Sequence, residues 1–101
     1  MGDEIDKLIL ELKENREIKE TIFSNTFLNS VGQIYEIYGY GAAKLYLLGR
    51  MEKKKQKKEA KIILNILNRI NSMGIPREIG SFIIRKINSI RMVKDERNKK
   101  V

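Results

Sequence analysis

The stretch that decides the fold is FLNSVGQIYEIYGYGAAKLYLL, residues 27–48, the most apolar segment of the chain. Its apolar residues recur at helical spacing on more than one face, which is typical of a central helix packed among others. Gly39 and Gly41 interrupt it. Because each glycine costs a helix interior about 1 kcal/mol relative to alanine, we expect a bend or short break near residue 40. We expect Gly49, in the left-handed conformation, to end this helix.

Apolar spacing on either side of that stretch predicts further helices. The expected helices span residues 3–22, 26–48, 53–73 and 76–94. A second break is expected near residue 15, because Ile18 and Ile22 leave the apolar stripe of the first turns. Ser24 to Thr26 can cap the second helix. Gly74-Ile75-Pro76 is expected to form a tight turn between the third and fourth helices, since glycine suits a helix end and proline a helix start.

These elements predict an all-α fold, a small bundle of about four helices. Its 101 residues suffice for one domain, which we assign to residues 1–94, followed by a flexible polar tail over residues 95–101. More than two thirds of the chain should be helical, with no sheet.

The residue types exclude many kinds of chemistry. The chain has no cysteine and no histidine, so disulfides, thiolate sites and the usual general base near neutral pH are excluded. No phosphate-binding loop, zinc-protease motif or dinucleotide fingerprint is present. The acidic residues Asp3, Glu4 and Asp6 are interpreted as a helix start, where carboxylates meet the positive end of the dipole. We therefore expect no enzyme, no cofactor and no metal site.

Charge is segregated along the chain, whose net charge is +8. Residues 1–36 hold eight acidic and four basic residues, whereas residues 37–101 hold five acidic and seventeen basic ones. The second part carries a net charge of +12, which attracts polyanions such as nucleic acid. A composition rich in isoleucine and lysine also fits a solvated surface with no ligand, and an acidic protein partner or an anionic membrane is a further alternative.

A basic run, EKKKQKKEAK over residues 52–61, is the first candidate nucleic-acid contact. Its basic residues are Lys53, Lys54, Lys55, Lys57, Lys58 and Lys61. They place positive charge on every side of two helical turns, which favours contact with phosphates over a role in the core. Lysine is a point charge and reads no base sequence. A solvated helix start is the alternative.

The fourth helix is the second candidate. Its expected core stripe consists of Ile79, Phe82, Ile83, Ile87, Ile90 and Val93, and the opposite side carries Arg77, Ser81, Arg85 and Asn88. Arginine and asparagine make bidentate contacts with base edges, so a helix-turn-helix arrangement is one interpretation. An ordinary helical hairpin is the other, because Gly80 stands where that motif requires a bulky side chain. Lys86 falls inside the expected stripe, where its methylenes can pack while its ammonium reaches solvent.

The sequence thus predicts a non-catalytic nucleic-acid-binding protein. The alternative is a structural or adaptor subunit that docks through its apolar central helix. Ile37, Leu45 and Leu48 are candidates for the interface of a homodimer, and Tyr40, between two glycines, is the tyrosine expected to be most exposed. Charged residues within the apolar stretch argue against a membrane span, and the opening Met-Gly-Asp-Glu is unlike a signal peptide, so a cytoplasmic location is expected. In style the chain is similar to small basic helical proteins of archaeal viruses and plasmids.

Overall fold

A computed structural model describes residues 2–90 of the chain, and 82% of this part is helical, with no strand. Seven helical segments occur in it. They are α1 (Gly2–Glu14), α2 (Arg16–Glu20), α3 (Asn25–Tyr38), α4 (Tyr40–Met51), α5 (Lys57–Ser72), α6 (Arg77–Arg85) and α7 (residues 87–90). The all-helical class is as predicted. The expected tail at residues 95–101 and the core position of Val93 lie outside the described residues.

Both expected breaks are present. Asn15 separates α1 from α2, and its Oδ1 accepts a hydrogen bond from the backbone N–H of Ile18 at 3.1 Å, which caps α2. Gly39 separates α3 from α4 with a φ of 99° and a ψ of −175°, backbone angles that are essentially restricted to glycine. Ser24 caps α3 as expected, its Oγ accepting from the Phe27 N–H.

The ends of α4 and α5 differ from expectation. Gly49 does not end α4; it lies inside the helix without a positive φ, and α4 continues to Met51. The break comes at residues 52–56, which form a turn, so that Lys53, Lys54 and Lys55 precede α5 rather than begin it. The strong helix propensity of lysine is overridden here, because the chain reverses direction between the two packed helices.

The core lies between α3, α4, α5 and α6. Contacts join α3 to α4, α4 to α5, α5 to α6, and α6 back to α3. Val31, Leu47, Ile63 and Ile84 are among its fully buried side chains. On one flank of α5, Leu8 and Leu12 of α1 line a cleft together with Ile62 and Ile66 of α5. The Arg69 guanidinium pairs with the Glu11 carboxylate at 2.6 Å across the rim of this cleft.

Residues 73–76 connect α5 to α6. The Ile75 N–H donates to the Ile70 carbonyl and the Gly74 N–H to the Asn71 carbonyl, while Gly74 has a φ of 70°. This pattern satisfies the last carbonyls of α5 and is the Schellman type of helix end. Pro76 directly precedes the first helical residue of α6, Arg77.

The core face of α6 differs from the predicted stripe. Gly80, Ser81, Ile83 and Ile84 are the buried residues of α6. Phe82, by contrast, is 59% exposed, and Ile79 is also exposed. The helix is rotated because its side with small residues approaches α3 closely, which apolar spacing alone does not reveal. Lys86 is exposed as well, with its Nζ 5.8 Å from the centre of the Phe82 ring.

Candidate functional site

The turn at residues 52–56 and the first helical turns of α5 bring the six lysines of the basic run to one end of the α4–α5 pair. Backbone hydrogen bonds define the turn: the Lys53 N–H donates to the Arg50 carbonyl and the Gln56 N–H to the Lys53 carbonyl. We call residues 53–61 the lysine loop. Ala60 is its buried residue and joins the core, so the lysines project from an anchored segment.

All six lysines of the lysine loop are exposed. Within residues 2–90, none of their ammonium groups forms an ion pair with a carboxylate; the ion pairs of Arg69 with Glu11 and of Arg85 with Glu36 involve other cations. Six lysines against the one carboxylate of Glu59 give this short segment a net charge of +5 and a strong local positive potential. The geometry therefore leaves these lysines available to an external anion.

Arg50 stabilises the lysine loop and does not add an exposed cation to it. Its guanidinium lies 5.1 Å from the centre of the Tyr46 ring, a cation–π contact, and its Nη1 donates to Gln56 Oε1 at 3.2 Å. The Tyr46 ring in turn stacks on Phe27 of α3, with centroids 6.4 Å apart. This role of Arg50 was missed from the sequence although both partners lie within six residues of it, because the charge pattern alone does not show which ring or amide a guanidinium contacts.

The structure places the predicted residues of the last helix against α3. Glu36 Oε1 accepts hydrogen bonds from Ser81 Oγ at 3.1 Å and from Arg85 Nη2 at 3.2 Å. Asn88 Nδ2 donates to the Phe23 carbonyl at 2.8 Å and to Asn25 Oδ1 at 2.9 Å. The expectation that this side of the helix faces solvent is therefore wrong for Ser81, which is 1% exposed, and half wrong for Arg85 and Asn88, which are partly buried.

Arg77 is exposed at the start of α6, at the opposite end of α5 from Lys57. A helix of 16 residues extends about 24 Å at 1.5 Å per residue. The two predicted sets of contacts, the lysine loop and Arg77, are thus separated by the length of α5.

Several large apolar side chains face outward around α3 and α4. Tyr38 is 72% exposed, Leu45 71%, Ile37 56% and Leu48 40%. Tyr38, rather than Tyr40, is the most exposed tyrosine. Tyr40 is half-buried and its hydroxyl donates to Asn68 Oδ1 on α5.

The pKa of Tyr35 is clearly displaced from its ordinary value. Burial of its ring raises the pKa of the Tyr35 hydroxyl, and the positive charge of Arg77 offsets part of that rise. Within residues 2–90, no three carboxylates are grouped so that they could hold a metal ion. No helix in this part of the chain has both the length and the apolar character needed to cross a membrane.

Comparison of the chain with models of protein families, with curated proteins and with solved structures finds no match.

Proposed function

We propose that this chain is a non-catalytic nucleic-acid-binding protein whose lysine loop contacts the sugar-phosphate backbone. The single observation that carries the proposal is the cluster of six exposed lysines with no ion pair among the described residues. Such a cluster binds phosphates and releases the counterions that surround them, which provides most of the affinity of general nucleic-acid binding.

The proposal rests on the lysines and not on the last helix. Arg85 and Asn88 can read base edges only if each leaves its partners on or just before α3. Arg77 is exposed and free to join a phosphate contact, but α5 separates it from the lysine loop. General binding of the backbone is therefore favoured over sequence-specific recognition by α6.

We extend the proposal to a bundle of four principal helices and to a cytoplasmic location. Contacts that link α3, α4, α5 and α6 in a closed ring support a small bundle of four principal helices, with the turn around Gly74 and Pro76 between the last two. A cytoplasmic nucleic-acid-binding protein is consistent with the absence of cysteine from the sequence.

A second candidate function is supported by the exposed apolar side chains of α3 and α4. Ile37, Tyr38 and Leu45 are each more than half exposed, and exposed apolar residues in a group mark interaction sites. In this alternative the chain is a structural or adaptor subunit that docks through its central helices while its charge maintains solubility. A homodimer through the same side chains is compatible with either function.

Binding to a nucleic acid at two salt concentrations separates the candidates. The first requires that affinity for a duplex of about 20 base pairs fall steeply, by a factor of roughly 10³ or more, between about 50 and 200 mM salt if six phosphates are contacted. The second requires no binding above background at the lower salt. Sedimentation at high micromolar concentration tests the homodimer separately, because a clean monomer contradicts it.

A further inference from the structure

The outer side of α5 continues from the lysine loop without an acidic residue. Residues of an α-helix follow each other at about 100°, and the buried residues Ala60, Ile63, Leu67 and Ile70 fix the inner side of α5. The opposite, exposed side carries Lys57, Lys61, Asn65, Asn68 and Ser72, which we call the α5 stripe. Glu59, the only carboxylate of α5, lies toward the inner side and is half-buried. The α5 stripe itself therefore carries only cations and neutral polar groups. Glu11 and Glu17 border it at Asn65, with which they line a cleft, and the Glu11 carboxylate is paired with Arg69.

The amides of the stripe are available as donors. Asn68 Oδ1 accepts the hydrogen bond of the Tyr40 hydroxyl, which leaves its Nδ2 without a partner among the described residues. Asn65 is exposed and has no hydrogen bond there to its side chain. Asparagine is a poorer helix former than lysine or glutamate, so helix propensity does not explain why it occupies these exposed positions. The hydrogen bond from Tyr40 gives a structural reason for Asn68 but not for Asn65. Side-chain amides are frequent donors to phosphate, sugar and base acceptors.

We propose that a double-stranded nucleic acid lies along α5, with Lys57 and Lys61 on its phosphates and Asn65 and Asn68 donating hydrogen bonds to the same molecule. The inference rests on the proposed function and extends it from the lysine loop to the length of the helix. Lys57 and Asn68 are eleven residues apart, about 16 Å along the helix axis, which corresponds to about five steps of 3.4 Å on one strand. A duplex is favoured over a single strand because α5 contains no aromatic residue and the Tyr40 ring that contacts it at Asn68 is half-buried, whereas surfaces for single strands depend on stacking with aromatic rings.

The test places negative charge in the amide part of the stripe. The variant Asn65→Asp/Asn68→Asp keeps side-chain size, and the carboxylate introduced at position 68 can still accept the Tyr40 hydrogen bond. The matched control is Asn29→Asp/Gln33→Glu, which adds the same charge at two exposed positions of α3. Fluorescence anisotropy measures binding to a DNA duplex of about 20 base pairs, an RNA duplex and a single strand at about 50 mM salt. We expect the stripe variant to lose more than about tenfold in affinity for a duplex relative to the control, because like charges would meet.

The outcomes distinguish this inference from the proposed function. No salt-dependent binding by the wild-type chain overturns both. Binding that the control and the stripe variant retain equally, yet that replacement of the loop lysines by glutamine removes, overturns the α5 stripe and leaves the lysine loop. If the single strand binds more tightly than either duplex, the inference that the bound molecule is double-stranded is overturned. Should the double variant fail to fold, as judged by circular dichroism, Asn65→Asp alone is compared with Asn29→Asp under the same criterion, because the Asn65 side chain has no hydrogen bond to lose among the described residues.

Discussion

Gly80 in α6 packs against the ring of Tyr35 in α3, so closely that a Cβ on residue 80 would lie 2.9 Å from Cε2 of the ring. The same Cβ would lie 2.7 Å from Cγ2 of Ile70 in α5. Carbon atoms pack at about 3.5–4.0 Å, and both neighbours are buried side chains. This glycine therefore sets how closely α6 can approach α3 and α5.

Replacing Gly80 by alanine should destabilise the protein, although alanine is the better helix former by about 1 kcal/mol. The added methyl group overpacks the contact with Tyr35, and we expect a net loss of about 1–3 kcal/mol in the free energy of unfolding. Urea denaturation followed by circular dichroism measures it. Gly49→Ala is the control, because its Cβ would meet nothing within 4 Å; that variant should gain about 0.5–1 kcal/mol. Equal gains in both variants would contradict the close packing of α6.

Alkaline pH should destabilise the fold through Tyr35. Burial raises the pKa of Tyr35 in the folded state, so the folded protein retains this proton at a pH where the unfolded chain has lost it. The associated stability is fully present below the unfolded pKa of about 10 and is lost as the pH rises from there through the folded pKa. Unfolding free energies of the wild type and of Tyr35→Phe, measured from pH 7 upward, should converge or cross above about pH 10. Parallel curves for the two proteins would exclude this contribution.

The sequence was sufficient for the helical class and for the breaks at Asn15 and Gly39, because apolar period, caps and glycine act locally. It was insufficient for the rotation of α6. Ile79, Phe82 and Ile83 form a plausible apolar stripe, but the close approach at Gly80 turns Phe82 outward and Ser81 inward. That choice depends on Tyr35, which is distant in the chain.

The candidate site, like the fold, could be predicted from the sequence only in part. The lysines of the lysine loop could be named from composition, since charge alone keeps them at the surface. The partners of Arg85 and Asn88 could not, because Glu36 and Asn25 approach them only after α3 and α6 have packed. The α5 stripe could not be predicted from the sequence either, because the helices that pack against α5 determine which of its sides is exposed.

Removing charge from the lysine loop should weaken binding without disturbing the fold. We expect Lys54, Lys55, Lys57 and Lys58, changed together to glutamine, to preserve the helical circular dichroism and the melting temperature within a few degrees, because these side chains have no core partner. The slope of log affinity against log salt should decrease by roughly 0.7–0.9 for each phosphate contact that is lost, equally on all sequences. An unchanged slope would place the phosphate contacts elsewhere.

Arg85→Ala should act on stability rather than on recognition. Its ion pair with Glu36 is partly exposed and contributes at most about 1 kcal/mol, to which the loss of packing of its methylenes adds. Arg77→Ala is the matched control, since it removes the same charge from an exposed position of the same helix. Arg85→Ala should lower the free energy of unfolding more than Arg77→Ala, whereas the two variants should bind nucleic acid with the same affinity. A loss confined to Arg85→Ala and to one preferred sequence would instead assign base reading to α6.

The charge of the lysine loop can change over generations without a change in the core. Its lysines lie on a turn and a helix start, where Ala60 alone belongs to the core. A mutation that adds or removes a lysine there leaves the buried side chains as they are. Selection can therefore adjust the strength of an electrostatic contact in small steps, while the buried residues are retained because the fold depends on them.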